Sequence, residues 1–295
     1  MMFINPKTDY AFKKIFGSSQ SQDILISFLN ALVYDGHDTI KELEIINPNL
    51  PPALAGLKDS YLDVKAKLID GTTVIIEMQV LNVESFGKRV LYNAAKTYAF
   101  QLESGQGYRM LKPVIALTIT DFKIFAKREE LISRFIYKEE TSNFEYTDNN
   151  IRLIFVELPK FTKEIEELET LADKWLYFLK YARSLTYIPE KMDTIPEIHQ
   201  AFEIANQANL TREEMEEVER REMFIYDQQG AISLSKAEGK AEGKAEGKAE
   251  GKAEGKKEEK LEIARKSLAL LDNETISQIT GLTVDEVQNL RENSL

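Results

Sequence analysis

The chain has 295 residues and a net charge of −11, and it contains no cysteine and only two histidines. These numbers exclude disulfides, thiolate metal sites and a cysteine nucleophile, and they argue against a zinc site or a catalytic triad built on histidine. A metal bound to this chain should therefore be a hard cation on oxygen ligands, Mg²⁺ or Mn²⁺.

The acidic residues are concentrated in the rear half of the chain. Residues 1–160 contain 19 basic and 20 acidic side chains, whereas residues 161–295 contain 19 and 29. The nearly neutral front half neither supports nor excludes a phosphate-binding surface, since local patches matter more than totals. No run approaches the ~20 apolar residues that span a membrane, and the N-terminus lacks a secretory apolar core. We expect a cytoplasmic protein that does not contact a membrane.

The start of the chain predicts two helices and a strand. Residues 5–17 fit a short helix that ends at Gly17, and apolar residues at helical spacing predict a second helix from Ser21. Residues 40–46 fit a strand that a proline-rich stretch ends.

Two acid-containing strands are predicted next, at residues 61–67 and 74–80. Asp70 and Gly71 lie between them, and this pair is typical of a two-residue hairpin turn in which both positions need φ > 0. The hairpin brings one acid from each strand towards the same place on a sheet.

Side chains alternate between the two faces of a strand, which predicts where the acids point. Asp63 and Lys65 are expected to point away from the core, while Leu62 faces it. On the second strand, Glu77 and Gln79 are expected to share the side that faces away from the core.

The next elements complete an α/β pattern. Residues 84–103 fit a long amphipathic helix, and the apolar runs 113–120 and 151–158 fit buried strands. This order of helices and strands predicts a three-layer α/β domain that ends near Pro159.

The rear half contains a four-residue repeat, Lys-Ala-Glu-Gly, from Lys236 to Lys256. In this repeat Lys and Glu are never three or four residues apart, so helical ion pairs are missing, and its glycines penalise a helix. The pattern favours a mobile or weakly helical spacer, with an ordered self-associating helix as the alternative.

The tail regains helical spacing, and Thr283 with Glu286 fits a capping box. A small self-association or capping element is favoured there, and a DNA-reading helix-turn-helix is the alternative. We therefore predict four segments: a domain at 1–160, a helical region at 161–230, a repeat linker at 231–256 and a small helical element at 257–295.

Asp63 and Glu77 are suited to hold a divalent cation because they approach each other across the predicted hairpin. Such a cation would neutralise a phosphate and activate a water for phosphodiester hydrolysis. Gln79 could position that water, although an amide has no charge. Acids on exposed strand faces are also common without any metal, and that remains the alternative.

The combined pattern resembles the PD-(D/E)XK nuclease core, in the variant with Gln in place of the final Lys. Four segments resemble more closely the bacterial Rpn family of recombination-promoting nucleases, also described as transposases: residues 9–16, 62–66, 76–79 and 89–92. Residues 98–105 and 155–161 extend this resemblance to roughly residues 3–180, and tails of short charged repeats are similar as well.

The resemblance implies a restriction-endonuclease-like α/β fold: three layers with a mixed central sheet, then a helical region, a low-complexity linker and a small helical tail. It also implies a Mg²⁺-dependent DNA endonuclease, with Mn²⁺ as the alternative ion. Asp63 and Glu77 would be the metal ligands and Gln79 would occupy the Lys position, which makes these three the expected catalytic residues.

Four further residues are expected to assist. Asp9 would serve a second metal or the substrate, with helix capping as the alternative. Arg89 and Tyr92, one turn apart on the predicted helix, would contact a phosphate or simply pack. Lys65 would contact a phosphate or act as the charge partner of Glu77.

The expected function is DNA breakage that promotes recombination. The alternative is a DNA-binding or oligomerising protein whose nuclease core has decayed, as Gln79 would suggest. Nothing in the sequence selects deoxyribose, so RNA stays open as a substrate. Because double-strand cutting by one active site per chain favours a dimer, we expect a homodimer or higher oligomer formed by the helical and C-terminal regions.

Overall fold

The structure is a computed structural model and describes residues 1–50, 60–148 and 150–293. The chain forms two compact units, Met1–Gln228 and Gln229–Leu295. Within the described ranges, no helix has both the length and the apolar character needed to cross a membrane.

The first unit is built around a mixed β-sheet. Its described strands are β1 (Leu43–Ile46), β2 (Asn49–Leu50), β3 (Ser60–Tyr61), β4 (Val64–Leu68), β5 (Thr73–Gln79), β6 (Val114–Thr120), β7 (Ile132–Phe135) and β8 (Ile151–Glu157). Strands β2 and β3 pair separately, and the main sheet has the order β1-β4-β5-β6-β8-β7. Strands β5, β6 and β8 are parallel, and the other pairs are antiparallel.

Helices cover both faces of this sheet. Those of the first part of the chain are α1 (Asp9–Phe16), α2 (Gln22–Val33) and α3 (Phe86–Ala99), and those after β8 are α4 (Leu171–Tyr181), α5 (Glu190–Asp193) and α6 (Pro196–Ala205). One face belongs to the large core, whose buried members include Phe12, Phe28, Ile76, Leu117, Ile154, Trp175 and Phe202.

Helix α3 covers the opposite face. Ala94 packs with Ile75 and Ala116, while Phe86 and Val90 pack with Phe155. Alternate residues of the central strands are therefore buried against different helices, as continuous apolar runs in parallel strands predict. The predicted three-layer α/β architecture with a mixed sheet is confirmed.

The acid-containing hairpin forms, but its turn differs from the prediction. Strands β4 and β5 are antiparallel and are joined by residues 69–72. Gly71 has φ +89°, whereas Asp70 does not have positive φ and instead accepts a hydrogen bond from Thr72 N at 2.8 Å. A four-residue connection that needs one left-handed residue replaces the predicted two-residue turn.

The predicted alternation fails just before β4. Leu62 packs with Ile75 and Ala94 beneath α3, and thus not on the face of Val64. Asp63 lies at a bend that precedes the strand. Strand alternation does not extend through a bend, which explains the wrong assignment of Leu62.

The rear helices are α7 (Arg212–Ser267), α8 (Asn273–Thr280) and α9 (Val284–Glu292). The four-residue repeat lies within α7 and is helical, which agrees with a weakly helical spacer and with an ordered helix. Ala, Lys and Glu are strong helix formers and occupy three of every four positions, which offsets the cost of the glycines.

The second unit has a small core of its own at its C-terminal end, where Ala264, Ile276 and Val287 are fully buried. Gly281 ends α8 with φ +67°, and Thr283 with Glu286 forms the predicted capping box of α9. The tail therefore forms two short helices that meet at Gly281.

Candidate active site

Asp63, just before β4, and Glu77, near the end of β5, approach each other. Asp63 Oδ2 accepts a hydrogen bond from Met78 N at 2.8 Å, which fixes this carboxylate beside the backbone of Glu77. The two acidic side chains are 14% and 10% exposed. The hairpin therefore brings together two carboxylates that are largely shielded from water.

The environment of Asp63 disfavours its charged form. Burial, with a smaller contribution from the charge of Glu77, raises the pKa of Asp63 to about 6. The hydrogen bond from Met78 N and the Lys13 ammonium, 3.4 Å from Oδ1, act in the opposite direction. A bound cation would relieve this desolvated negative charge.

Helix α3 holds Glu77 through two side chains. Asn93 Nδ2 donates to Glu77 Oε1 at 2.5 Å, and Arg89 Nη2 lies 3.6 Å from Oε2. Residues four apart lie on one face of a helix, so Arg89 and Asn93 reach the acid together. Asn93 Oδ1 is buried without a hydrogen-bond partner in the described part of the chain.

Gln79 is bonded at both ends of its amide. Its Nε2 donates to Leu81 O at 2.7 Å, and its Oε1 accepts from Arg89 Nη2 at 2.6 Å. The Arg89 guanidinium also lies 5.0 Å from the centre of the Phe86 ring. Gln79 thus positions a permanent positive charge beside Glu77.

Asp9 lies near these residues but is occupied by an ion pair. Arg221 Nη1 is 3.2 Å from Asp9 Oδ2, and both residues line a cavity of about 150 Å³ together with Gln79. Asp9 does not cap α1, because the Thr8 hydroxyl accepts the bond from Ala11 N. The capping alternative for Asp9 is wrong.

The other two predicted residues lie outside this bonding network. Lys65 is half-buried, burial lowers its pKa, and it forms no ion pair with Glu77. Arg89 takes that place, so the predicted charge partnership of Lys65 with Glu77 is wrong. Tyr92 is exposed on α3, with Lys96 Nζ 6.0 Å from the ring centre.

Comparison with known protein families gives an independent result. Residues 6–235 match the family described as PD-(D/E)XK nuclease family transposase. The chain belongs to this nuclease transposase family. No curated protein and no solved structure matches the chain. The family confirms the resemblance found in the sequence and agrees with the α/β core described above.

Membership of the nuclease transposase family supports a nuclease-type enzyme that acts on DNA, and nucleases of this class generally use divalent metals. In the described ranges, no group of three or more Asp, Glu or His side chains is arranged to hold a metal ion. A cation between Asp63 and Glu77 would therefore need backbone, water or substrate oxygens to complete its coordination.

The sequence interpretation assigned no role in this site to Lys13 or Asn93. Lys13 lies on α1, 50 residues before Asp63, and no local pattern joins the two. Asn93 had a detectable signal, because its four-residue spacing from Arg89 puts both on one helical face.

Proposed function

We propose that this chain is a divalent-metal-dependent DNA endonuclease whose phosphodiester hydrolysis promotes DNA breakage and recombination. The observation that supports this best is the pair of shielded carboxylates, Asp63 and Glu77, held beside Arg89 in a nuclease family chain. Mg²⁺ is the expected ion, with Mn²⁺ as the alternative.

The residues present fit such an ion. Asp63 and Glu77 supply hard oxygen donors, and the raised pKa of Asp63 reflects a carboxylate that lacks solvation. When bound, the cation would neutralise the phosphate and lower the pKa of a water. Asn93 orients Glu77 by its 2.5 Å bond, so this carboxylate is already fixed before any ligand binds.

Two basic side chains would act on the substrate directly. Arg89 and Lys13 flank the acid pair, and their side chains are 45% and 43% exposed, so both are accessible to a phosphate. As water attacks phosphorus and the bond to the leaving oxygen breaks, they would stabilise the charge on the phosphate oxygens. Gln79 would act as a positioning residue for Arg89, and not as the water-orienting residue the sequence suggested.

Plasmid cleavage with and without Mg²⁺ tests this function. We expect the wild type to cut, Asp63→Ala and Glu77→Gln to lose at least about 10²-fold in rate, and Glu44→Gln to be unaffected. Glu44 is an exposed acid on β1 and controls for the lost charge. Equal cleavage by wild type and Asp63→Ala would remove Asp63 from catalysis.

A DNA-binding or oligomerising protein with a decayed nuclease core is the second candidate. It is favoured by Gln79, an uncharged amide that is hydrogen-bonded at both ends where a nuclease of this type has Lys. Gel retardation of DNA without cutting in Mg²⁺, Mn²⁺ or Ca²⁺ would establish this candidate. Digestion of DNA and RNA in parallel would decide between the two polymers.

We also propose a homodimer or higher oligomer in the cytoplasm. Double-strand cutting favours two active sites that act together, and the described part of the chain contributes one through Asp63 and Glu77. Light scattering at working concentration measures the oligomeric state. A monomer that still makes double-strand breaks in single encounters would contradict the dimer.

A further inference from the structure

A buried ion pair holds the connection between β6 and β7, residues 121–131, which we call the basic loop. The side chains of Glu157 and Lys160 are 0% and 4% exposed, and their charged atoms are 2.5 Å apart. Glu157 Oε1 accepts hydrogen bonds from Ile124 N at 2.7 Å and from Phe125 N at 3.1 Å.

Lys160 also bonds the backbone of the basic loop. Its Nζ donates to Phe125 O at 3.3 Å and to Glu130 O at 3.0 Å, so the pair bonds four backbone groups of the basic loop. A buried ion pair adds little net stability compared with apolar residues. Its presence here is better explained by the need to fix the shape of this long loop.

The basic loop begins beside the acid pair. Asp121 N donates to Gln79 O at 3.0 Å, and Lys7 Nζ donates to Asp121 Oδ2 at 2.6 Å. The Phe122 ring packs 5.8 Å from the ring of Phe86, in the first turn of α3. The loop is therefore fixed to both elements that position Gln79 and Arg89.

Three cations of the basic loop are exposed to solvent. Lys123, Lys127 and Arg128 form no ion pair within the part of the chain that the structure describes, although Glu129 and Glu130 follow directly. Lys123 is two residues beyond Asp121, so their Cα atoms are at most about 7 Å apart.

We propose that the basic loop binds the phosphate backbone of duplex DNA and thereby sets which phosphate lies over Asp63 and Glu77. The proposal rests on the proposed nuclease function and adds its substrate-binding surface. Charge complementarity supports DNA as the occupant, because Asp121 is neutralised by Lys7 and the exposed cations of the loop then outnumber its exposed acids, Glu129 and Glu130. The loop follows β6 at the end of the sheet where the acid pair lies.

A matched pair of triple variants tests the proposal. Lys123→Gln, Lys127→Gln and Arg128→Gln together remove the loop cations. Lys67→Gln, Arg109→Gln and Lys112→Gln together remove the same charge from exposed positions at the other end of the strands. Full-length proteins are compared by binding to a fluorescent DNA duplex in EDTA, over a series of salt concentrations.

Each lost phosphate contact reduces the slope of log affinity against log salt by about 0.9. We expect the loop variant to have a slope smaller by about 2 to 3 and at least about tenfold weaker binding at 0.1 M salt. We expect the control variant to keep the wild-type slope. In Mg²⁺ the loop variant should show a raised KM with kcat within about threefold of wild type.

Several outcomes would overturn the proposal. An unchanged slope in the loop variant would do so, and so would an equal loss in both triple variants. These results are distinct from failure of the nuclease function itself, in which the wild type would neither bind nor cut duplex DNA. Circular dichroism of all three proteins checks that the surface changes leave the fold intact.

Discussion

Arg89 donates a hydrogen bond to Gln79, with 2.6 Å between Nη2 and Oε1, and this bond joins α3 to the end of β5. The guanidinium lies 3.6 Å from Glu77 at the same time. An amide and an arginine from two elements therefore supply a fixed positive charge beside the acid pair. Gln79, which would occupy the Lys position of the general nuclease pattern, holds Arg89 through this bond.

This relationship predicts non-additive kinetics for Gln79 and Arg89. Arg89→Ala should lower kcat by about 10² to 10³-fold, as expected for loss of one donor to a charged transition state. Gln79→Ala should cost about tenfold, because the guanidinium loses its orientation. If Gln79 acts through Arg89, adding Gln79→Ala to Arg89→Ala should have little further effect.

Plasmid cleavage rates of the two single variants and the double variant measure this coupling. Arg89→Lys provides the conservative comparison, since it retains charge but loses the planar fork. Losses that multiply in the double variant would show that Gln79 contributes independently of Arg89, for example by holding water.

A second prediction concerns the stability contributed by Asp63. Burial raises its pKa from 3.8 to about 6, so folding favours the protonated carboxyl. The stabilising effect is fully present below about pH 4 and is lost as the pH rises through 6. At pH 7.5 without divalent metal, ionised Asp63 should therefore lower the free energy of unfolding by about 2 to 3 kcal/mol.

Asp63→Asn should consequently be more stable than wild type at pH 7.5, by roughly 2 kcal/mol, and close to wild type at pH 4. Asn can still accept the bond from Met78 N. Urea unfolding in EDTA, followed by fluorescence of the single and fully buried Trp175, reports on the first unit. If the difference in free energy of unfolding between Asp63→Asn and wild type did not change with pH, the destabilisation could not come from ionisation of Asp63.

Much of this site could be predicted from local patterns in the sequence. Alternating residues predict a strand containing Glu77, Asp70 with Gly71 predicts a hairpin, and apolar spacing predicts α3. These signals depend on residues that are close in the chain. They were sufficient to bring Asp63 and Glu77 together.

The rest depends on how distant elements pack. The contact of Lys13 with Asp63 joins α1 to β4, and the bond of Arg89 to Gln79 depends on the seating of α3 on the sheet. The bend at Asp63 was also unpredictable, since a strand pattern contains no signal for a local break. Such features depend on how distant parts of the chain pack together, and a local sequence pattern contains no information on that packing.

A third prediction is that divalent metal stabilises the first unit through Asp63 and Glu77. Ligand at about 100 times its Kd should raise the free energy of unfolding by roughly 2.7 kcal/mol. The effect should be larger at pH 7.5 than at pH 5, because protonated Asp63 is a poor ligand. Unfolding monitored at Trp175, with Mg²⁺ or Ca²⁺, measures it without any cleavage assay.

Variants identify the residues responsible for this stabilisation. Asp63→Asn and Glu77→Gln should abolish the stabilisation by metal. Asn93→Ala should lower the metal affinity about tenfold because Glu77 loses its orienting bond. Glu44→Gln should respond as wild type does. Equal metal stabilisation in Asp63→Asn and wild type would place any metal elsewhere.

The last prediction concerns the buried pair beneath the basic loop. Lys160→Met leaves the carboxylate of Glu157 buried without its cation, which should lower the free energy of unfolding by about 3 to 5 kcal/mol. Adding Glu157→Gln removes that charge while the amide oxygen can still accept bonds from Ile124 N and Phe125 N. The double variant should therefore regain part of the loss.

Urea unfolding at Trp175 measures both variants against Lys41→Met, which breaks a largely exposed ion pair with Asp38 and should leave stability unchanged. The double variant still lacks the two bonds from Lys160 to Phe125 O and Glu130 O, so it should not reach wild-type stability. A double variant less stable than Lys160→Met would show that the charge of Glu157 is not the source of the loss.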